Sequence, residues 1–336
     1  MESKMKIAMI AIVAVVAISC SALAITMMNG HSESSQEETY SVEVRVFEGD
    51  QYKSYPAQGK TVSEILSNAF GDKITVANNG NVKSFNGKEN DSTHAWMTFR
   101  WMSHDGWVAA DKSNLMQGVT LALEYSEKQT VSGKTVYSTP DLVITKDAYF
   151  FIQIKSLQEL STSTNTDIKT HYAKLTEWID KSVYDLASFE KGFWIKGSGQ
   201  DVNEALADAV HKNLFPETTL TKTVMPESER IAYNADGVEF HEHGTRAMSY
   251  GWFIDFLGWT DIDLGPAGYT YWSQYTYNPN APTLDDDRQW IYNSKTFGAY
   301  DMDKYRYYAL LLQTTQEDGT DAILPGPSTI PEELKS

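Results

Sequence analysis

The chain has 336 residues, 41% of them hydrophobic and 22% charged, an ordinary globular composition long enough to build two cores. Its formal net charge of −17 repels phosphate backbones and excludes nucleic acid as an expected partner. The single cysteine, Cys20, leaves the rest of the chain with no disulfide, so cores alone must hold it.

In chain order, Lys4 and Lys6 precede an apolar run from Ile7 to Met28 that contains the small-x-small site Ala22-Leu23-Ala24. Residues 1–28 therefore read as a signal peptide or an uncleaved membrane anchor, which places the body outside the cytoplasm, at the cell surface or secreted. Lipid attachment at Cys20 is disfavoured by Ala17, where a larger aliphatic residue is usual. Beyond the leader, 44 acids face 26 bases, a surface suited to solubility outside the cell. Residues 29–39 are a polar linker.

Tyr40 to Phe47 alternates Val42, Val44 and Val46 with polar residues, the pattern of a half-buried strand. Gly59 then leads into Thr61-Val62-Ser63-Glu64-Ile65-Leu66, a capping box opening an amphipathic helix. The runs Ile74 to Val76 and Val82 to Phe85, punctuated by Asn79-Gly80 and Asn86-Gly87, predict a hairpin, and His94 to Met102 and Val119 to Tyr125 predict further strands. The Ser, Thr and Gly of 126–139 mark a boundary. Tyr149 to Ile154 opens a second unit, followed by a helix carrying Ile168, Tyr172, Leu175, Ile179, Val183 and Leu186 on one face. Phe193-Trp194-Ile195 leads to Gly199 and a second box, Asp201-Val202-Asn203-Glu204-Ala205-Leu206. Gly, Val, Glu and Leu recur at the offsets of the first. The expected organisation is thus α+β: two units at 40–128 and 146–315, the second elaborated with an extra helix and insertions, joined by a linker at 129–145 and trailed by a flexible tail at 316–336.

Four segments of the first unit, Pro56 to Leu66, Gly80 to Gly87, Ala95-Trp96 and Gln117 to Leu121, follow in an order that resembles the C-terminal domain of transcobalamin and intrinsic factor, a module also found in exported prokaryotic proteins. The resemblance covers 40–128; in the second unit only the helix box and Trp252 match. It implies a β-grasp-like fold and one wall of a corrinoid site. The large helical barrel that completes that site in the carriers has no counterpart in this chain, so a second wall must come from the second unit or from a partner protein. On this resemblance Val82, Ser84, Asn86 and Trp96 are candidate ligand contacts; Asn86 is equally explained as a turn former.

Between Tyr250 and Tyr308 lie 17 aromatic residues in 59 positions. Tyr269, Tyr271, Tyr275 and Tyr277 share one face of an extended strand, which either stacks a sugar or flat ring or serves as cross-strand packing. Glu239, His241 and His243 alternate in Val238 to His243, offering a carboxylate and two imidazoles to a metal, or simply forming a solvated strand. Asp285-Asp286-Asp287 lacks the spacing of a calcium loop. Asn90-Asp91-Ser92 is a glycan acceptor sequence. No nucleophile elbow, phosphate loop, dinucleotide fingerprint or H-E-x-x-H helix is present, and no catalytic role or required cofactor is expected. The expected function is an exported surface protein that binds a planar or polycyclic ligand such as a corrinoid. The alternatives are an adhesion or envelope protein that meets glycans or proteins and, last, a metal-dependent enzyme.

Overall fold

A computed structural model describes residues 39–48, 51–77, 79–102, 106–225, 230–235, 238–243, 253–259, 262–265, 268–277, 290–292 and 300–315, with 330 and 334; of 222–255 the backbone alone is described. The leader, the linker from 29 to 38, the aspartate run at 285–287, Trp252 and most of the expected tail lie outside the described residues. Among those described, no helix is long and apolar enough to cross a membrane. The content is mixed α and β, mostly sheet, and the described residues from Ser41 onward belong to one compact unit.

The first half runs β1 (Tyr40–Glu48), β2 (Gln51–Gly59), α1 (Val62–Phe70), β3 (Ile74–Val76), β4 (Val82–Phe85), β5 (Lys88–Glu89), β6 (His94–Met102), β7 (Gly106–Ala109), β8 (Thr120–Val131) and β9 (Lys134–Tyr137). Its six-stranded sheet has the order β2-β1-β8-β6-β7, with β9 paired to β8. β1 and β8 are parallel, Val44 opposite Leu121 and Val46 opposite Leu123, while β6 runs antiparallel to β8. α1 buries Val62, Ile65, Leu66 and Phe70; Ile65 and Leu66 are fully enclosed, each contributing about 1.5–3 kcal/mol of apolar burial. The opposite face of the sheet has its own core of Phe47, Phe99, Trp101, Trp107, Ala122 and Ile144. Trp96 and Phe99, of different strand parity, are therefore both buried, on opposite sides.

The second half runs β10 (Lys146–Ile154), α2 (Leu157–Thr162), α3 (Thr166–Lys181), α4 (Leu186–Lys191), β11 (Phe193–Gly199), α5 (Val202–Leu214), β12 (Leu220–Met225), β13 (Arg230–Ala235), β14 (Val238–His243), β15 (Phe253–Asp255), β16 (Ile262–Asp263), β17 (Tyr269–Tyr277), β18 (Trp290–Tyr292) and β19 (Tyr307–Thr315). The second six-stranded sheet has the order β11-β10-β19-β17-β16, with β18 on β17. β10 pairs with β19 in parallel, and β11 and β17 flank them antiparallel. Position for position, this repeats the arrangement β2-β1-β8-β6, and α5 follows β11 as α1 follows β2. Strands β12 to β15 form a separate four-stranded sheet.

Both helix starts have the same cap. Thr61 Oγ1 accepts the Glu64 amide at 3.1 Å and Glu64 accepts the Lys60 amide at 2.9 Å; Asp201 accepts the Glu204 amide at 2.9 Å and Glu204 accepts the Gln200 amide at 2.8 Å. Each glutamate thus reaches one residue beyond the cap and not to the cap's own amide. The repeated glycine has a steric cause: a Cβ on Gly59 would stand 2.7 Å from the Ile65 nitrogen, and one on Gly199 2.4 Å from the Ala205 nitrogen.

Two expectations need correction, and one strand has no counterpart among them. Residues 129–137 are not a linker but continue the β8–β9 hairpin, so the irregular connection is 138–145. The helix expected to run to Leu186 stops at Lys181, where Ser182 Oγ takes the Tyr184 amide and leaves Val183 exposed; Asp185 then caps α4. Strand β2 has no clear signature in the sequence because most of it is solvent-facing.

Candidate functional site

Among the described residues, a charged cluster joins the two sheets. Arg100, in the aromatic strand β6, is 1% exposed, and its guanidinium donates to Asp301 at 2.5 Å and Asp303 at 3.2 Å. Both carboxylates sit in the turn before β19, which is fixed by its own bonds: Asp301 Oδ1 accepts the Asp303 amide at 3.0 Å, and its carbonyl accepts the Lys304 and Tyr305 amides. Lys146, at the start of β10, pairs with Asp303. Burial pushes the Lys146 ammonium down to about 8 against the opposing attraction of Asp301. Removing one member of such a buried cluster strands its partners, at a cost of about 3–5 kcal/mol.

Beside this cluster lies a cavity of about 480 Å3, with Gln117, Thr145, Lys146, Asp147, Asp303 and Arg306 on its walls. Asp147 is engaged by Lys196 at 2.6 Å and Ser198 at 2.6 Å, which hold its carboxyl below the usual range. Gln117 Oε1 accepts the Ser41 amide at 2.9 Å and ties the turn before β8 to the start of β1. Polar and ionic chemistry therefore lines this cavity.

The candidate ligand contacts are elsewhere. Val82 is buried; Trp96 is buried against Phe85 and Tyr125, with its indole N–H donated to the Lys88 carbonyl at 2.9 Å. Ser84 is half-buried in β4, and Asn86 takes a φ of 50°, the left-handed turn conformation that explains its presence before Gly87. The tyrosine face is also an interior. Tyr271 and Tyr275 are buried, Tyr269 and Tyr277 half-buried, and the layer that includes Tyr275 is packed with Tyr149, Phe151, Trp290, Tyr307 and Leu311. The Tyr275 hydroxyl accepts from Gln313 at 3.0 Å, and burial pushes it up to about 12. Among the described residues, neither Trp96 nor these tyrosines line the cavity between the sheets.

Glu239, His241 and His243 occupy alternate positions of β14, whose side chains lie outside the described residues. Asn90 of the glycan acceptor sequence donates its amide to the Val82 carbonyl at 2.8 Å and accepts the Trp96 amide at 2.8 Å, so glycosylation would break a tie between β4 and β6. Next to it, Asp91 gathers the Thr93 and His94 amides, the Thr93 hydroxyl and the Tyr125 hydroxyl.

Sequence reasoning missed Arg100, Lys146, Asp301 and Asp303, because their ion pairs join residues 157 to 203 positions apart, and with them Arg306. One signal was available. Asp111-Lys112-Ser113-Asn114 before β8 and Asp301-Met302-Asp303-Lys304 before β19 are the same kind of turn, each aspartate accepting the amide two residues on. Where the first turn has Ser113, the second has the carboxylate that meets Arg100 and Lys146. Comparison with models of known protein families finds none that matches, and no curated protein matches the chain either.

Proposed function

We propose that this chain is an exported cell-surface protein of two tandem β-grasp-like units, the second elaborated, with a structural or adhesive role carried by its outer surface. The single observation that carries this reading is the buried Arg100–Asp301–Asp303–Lys146 cluster between the sheets. A clamp for a polycyclic ligand needs a cleft that encloses most of it, lined largely by apolar and aromatic groups. Here the aromatic groups are used inside each half, and ions join the halves. The tandem reading is supported by the repeated capping box, the repeated strand order and the repeated Asp turn. Export rests on the leader sequence, and solubility at the surface on the excess of acids.

The resemblance of residues 40–128 keeps corrinoid binding as the second reading, with a partner protein as its second wall. Full-length protein mixed with cobalamin or cobinamide and followed by visible absorbance separates the two. The proposal predicts no spectral change and no co-elution of corrinoid on gel filtration, while protease treatment of intact cells removes the protein from the surface and reduces their attachment to glycan- or protein-coated supports. Stoichiometric corrinoid retention, or no change in attachment, overturns it.

A further inference from the structure

The cavity between the sheets has a charge balance unlike the rest of the chain. Lys146 and Arg306 line it with Asp303, and Arg100 stands behind Asp303, while Asp301 and Asp303 are the carboxylates that answer Arg100 and Lys146. Asp147 is taken by Lys196 and Ser198, and Glu43, nearby, by Arg45 and Ser54. Among the described residues the cations here exceed the carboxylates by one, and the surplus falls to Arg306, which is exposed on the cavity wall and feels Asp147 only at longer range than a direct ion pair. In a chain of net charge −17, a local surplus of cation beside a cavity is the reverse of what composition favours.

Arginine presents a planar fork that matches a carboxylate or phosphate oxygen pair. The remaining walls are polar. Gln117 uses its Oε1 on the Ser41 amide, which leaves its NH2 to donate, and Thr145 adds a hydroxyl. A purely apolar acid would find only Met302 to bury against, whereas hydroxyl groups would be matched by these side chains. The volume, about 480 Å3, is within the range of about 300–1,000 Å3 that small-molecule sites occupy.

We infer that this cavity is a binding site for a small hydroxylated carboxylate, the chemistry of a sugar acid, with Arg306 holding the carboxylate and Gln117 and Thr145 the hydroxyls. The inference does not depend on the structural or adhesive reading, since the cavity and its charges are independent of what the outer surface meets.

The test is isothermal titration of the full-length chain with glucuronate, with glucose as the neutral analogue and inorganic phosphate as the second oxyanion. Glucuronate should bind saturably and glucose should not, and phosphate should bind at least tenfold more weakly than glucuronate. Arg306→Gln should weaken glucuronate at least tenfold with an unchanged melting temperature, and Arg306→Lys should restore part of the loss. Absence of glucuronate binding, or equal affinity in Arg306→Gln, overturns the site; phosphate or glucose binding as tightly as glucuronate overturns the ligand class.

Discussion

Gly199→Ala perturbs the turn where β11 enters α5, and its cost can be worked from the geometry. The new Cβ would lie 2.4 Å from the Ala205 nitrogen, 2.8 Å from the Glu204 carbonyl carbon and 2.9 Å from the Asp201 oxygen, all backbone atoms of the helix start. Carbon needs about 3.5–4.0 Å from such neighbours, so the helix must retreat by about 1 Å and forfeit much of its dispersion against the strand. α5 is the helix whose Ala205, Ala207, Ala209 and Val210 are wholly buried, and it cannot retreat without loosening that core. Overpacking of this kind costs about 1–3 kcal/mol and occasionally more, and a clash against backbone belongs at or above the upper end. Gly133→Ala is the control: at φ 76° with nothing within 4 Å, it meets only the left-handed conformational penalty of about 1–2 kcal/mol. Urea unfolding of the two variants should put Gly199→Ala below Gly133→Ala by at least 1 kcal/mol. Equal stabilities would refute the close approach of strand and helix.

Thr61→Ala and Asp201→Ala should each cost about 1 kcal/mol in the same assay, since each removes the acceptor for a first-turn amide; no loss in either variant contradicts the twin caps. Asp91 is held well below the usual carboxylate range by the Thr93 amide, the Tyr125 hydroxyl, the His94 amide and the Thr93 hydroxyl, so its contribution to stability is present above the ordinary value of 3.8 and is lost as pH falls through the folded value. Asp91→Asn should melt lower than wild type at pH 7, with the gap narrowing below pH 3.8; a gap that persists unchanged in acid contradicts the ionic origin.

What was legible in the sequence was local. Val42, Val44 and Val46 report a strand with one buried face, and the Thr61 to Leu66 and Asp201 to Leu206 boxes report helix starts, because each pattern is set by neighbours along the chain. β2 leaves no mark in the sequence, since an exposed edge strand has no alternation to read. The break at Ser182 was hidden by apolar residues that kept helical spacing on either side of it. The tyrosines of β17 illustrate a deeper limit: parity placed Tyr269 to Tyr277 on one face, but burial depends on β18 and on Ile330, whose positions along the chain say nothing of where they pack. Likewise, Arg100 reads as a lone cation among aromatics until the turn at 301–303 is brought against it.

A double-mutant cycle of Arg100→Met and Asp301→Ala, followed by urea unfolding, decides whether ions between the sheets lock the two halves together. Each single change should cost about 3 kcal/mol or more by leaving buried charge uncompensated. The double variant should lose less than the sum of the singles, by a coupling of about 1.5–3 kcal/mol. Strictly additive losses, or singles that cost under about 0.5 kcal/mol as at an ordinary surface position, would contradict the lock.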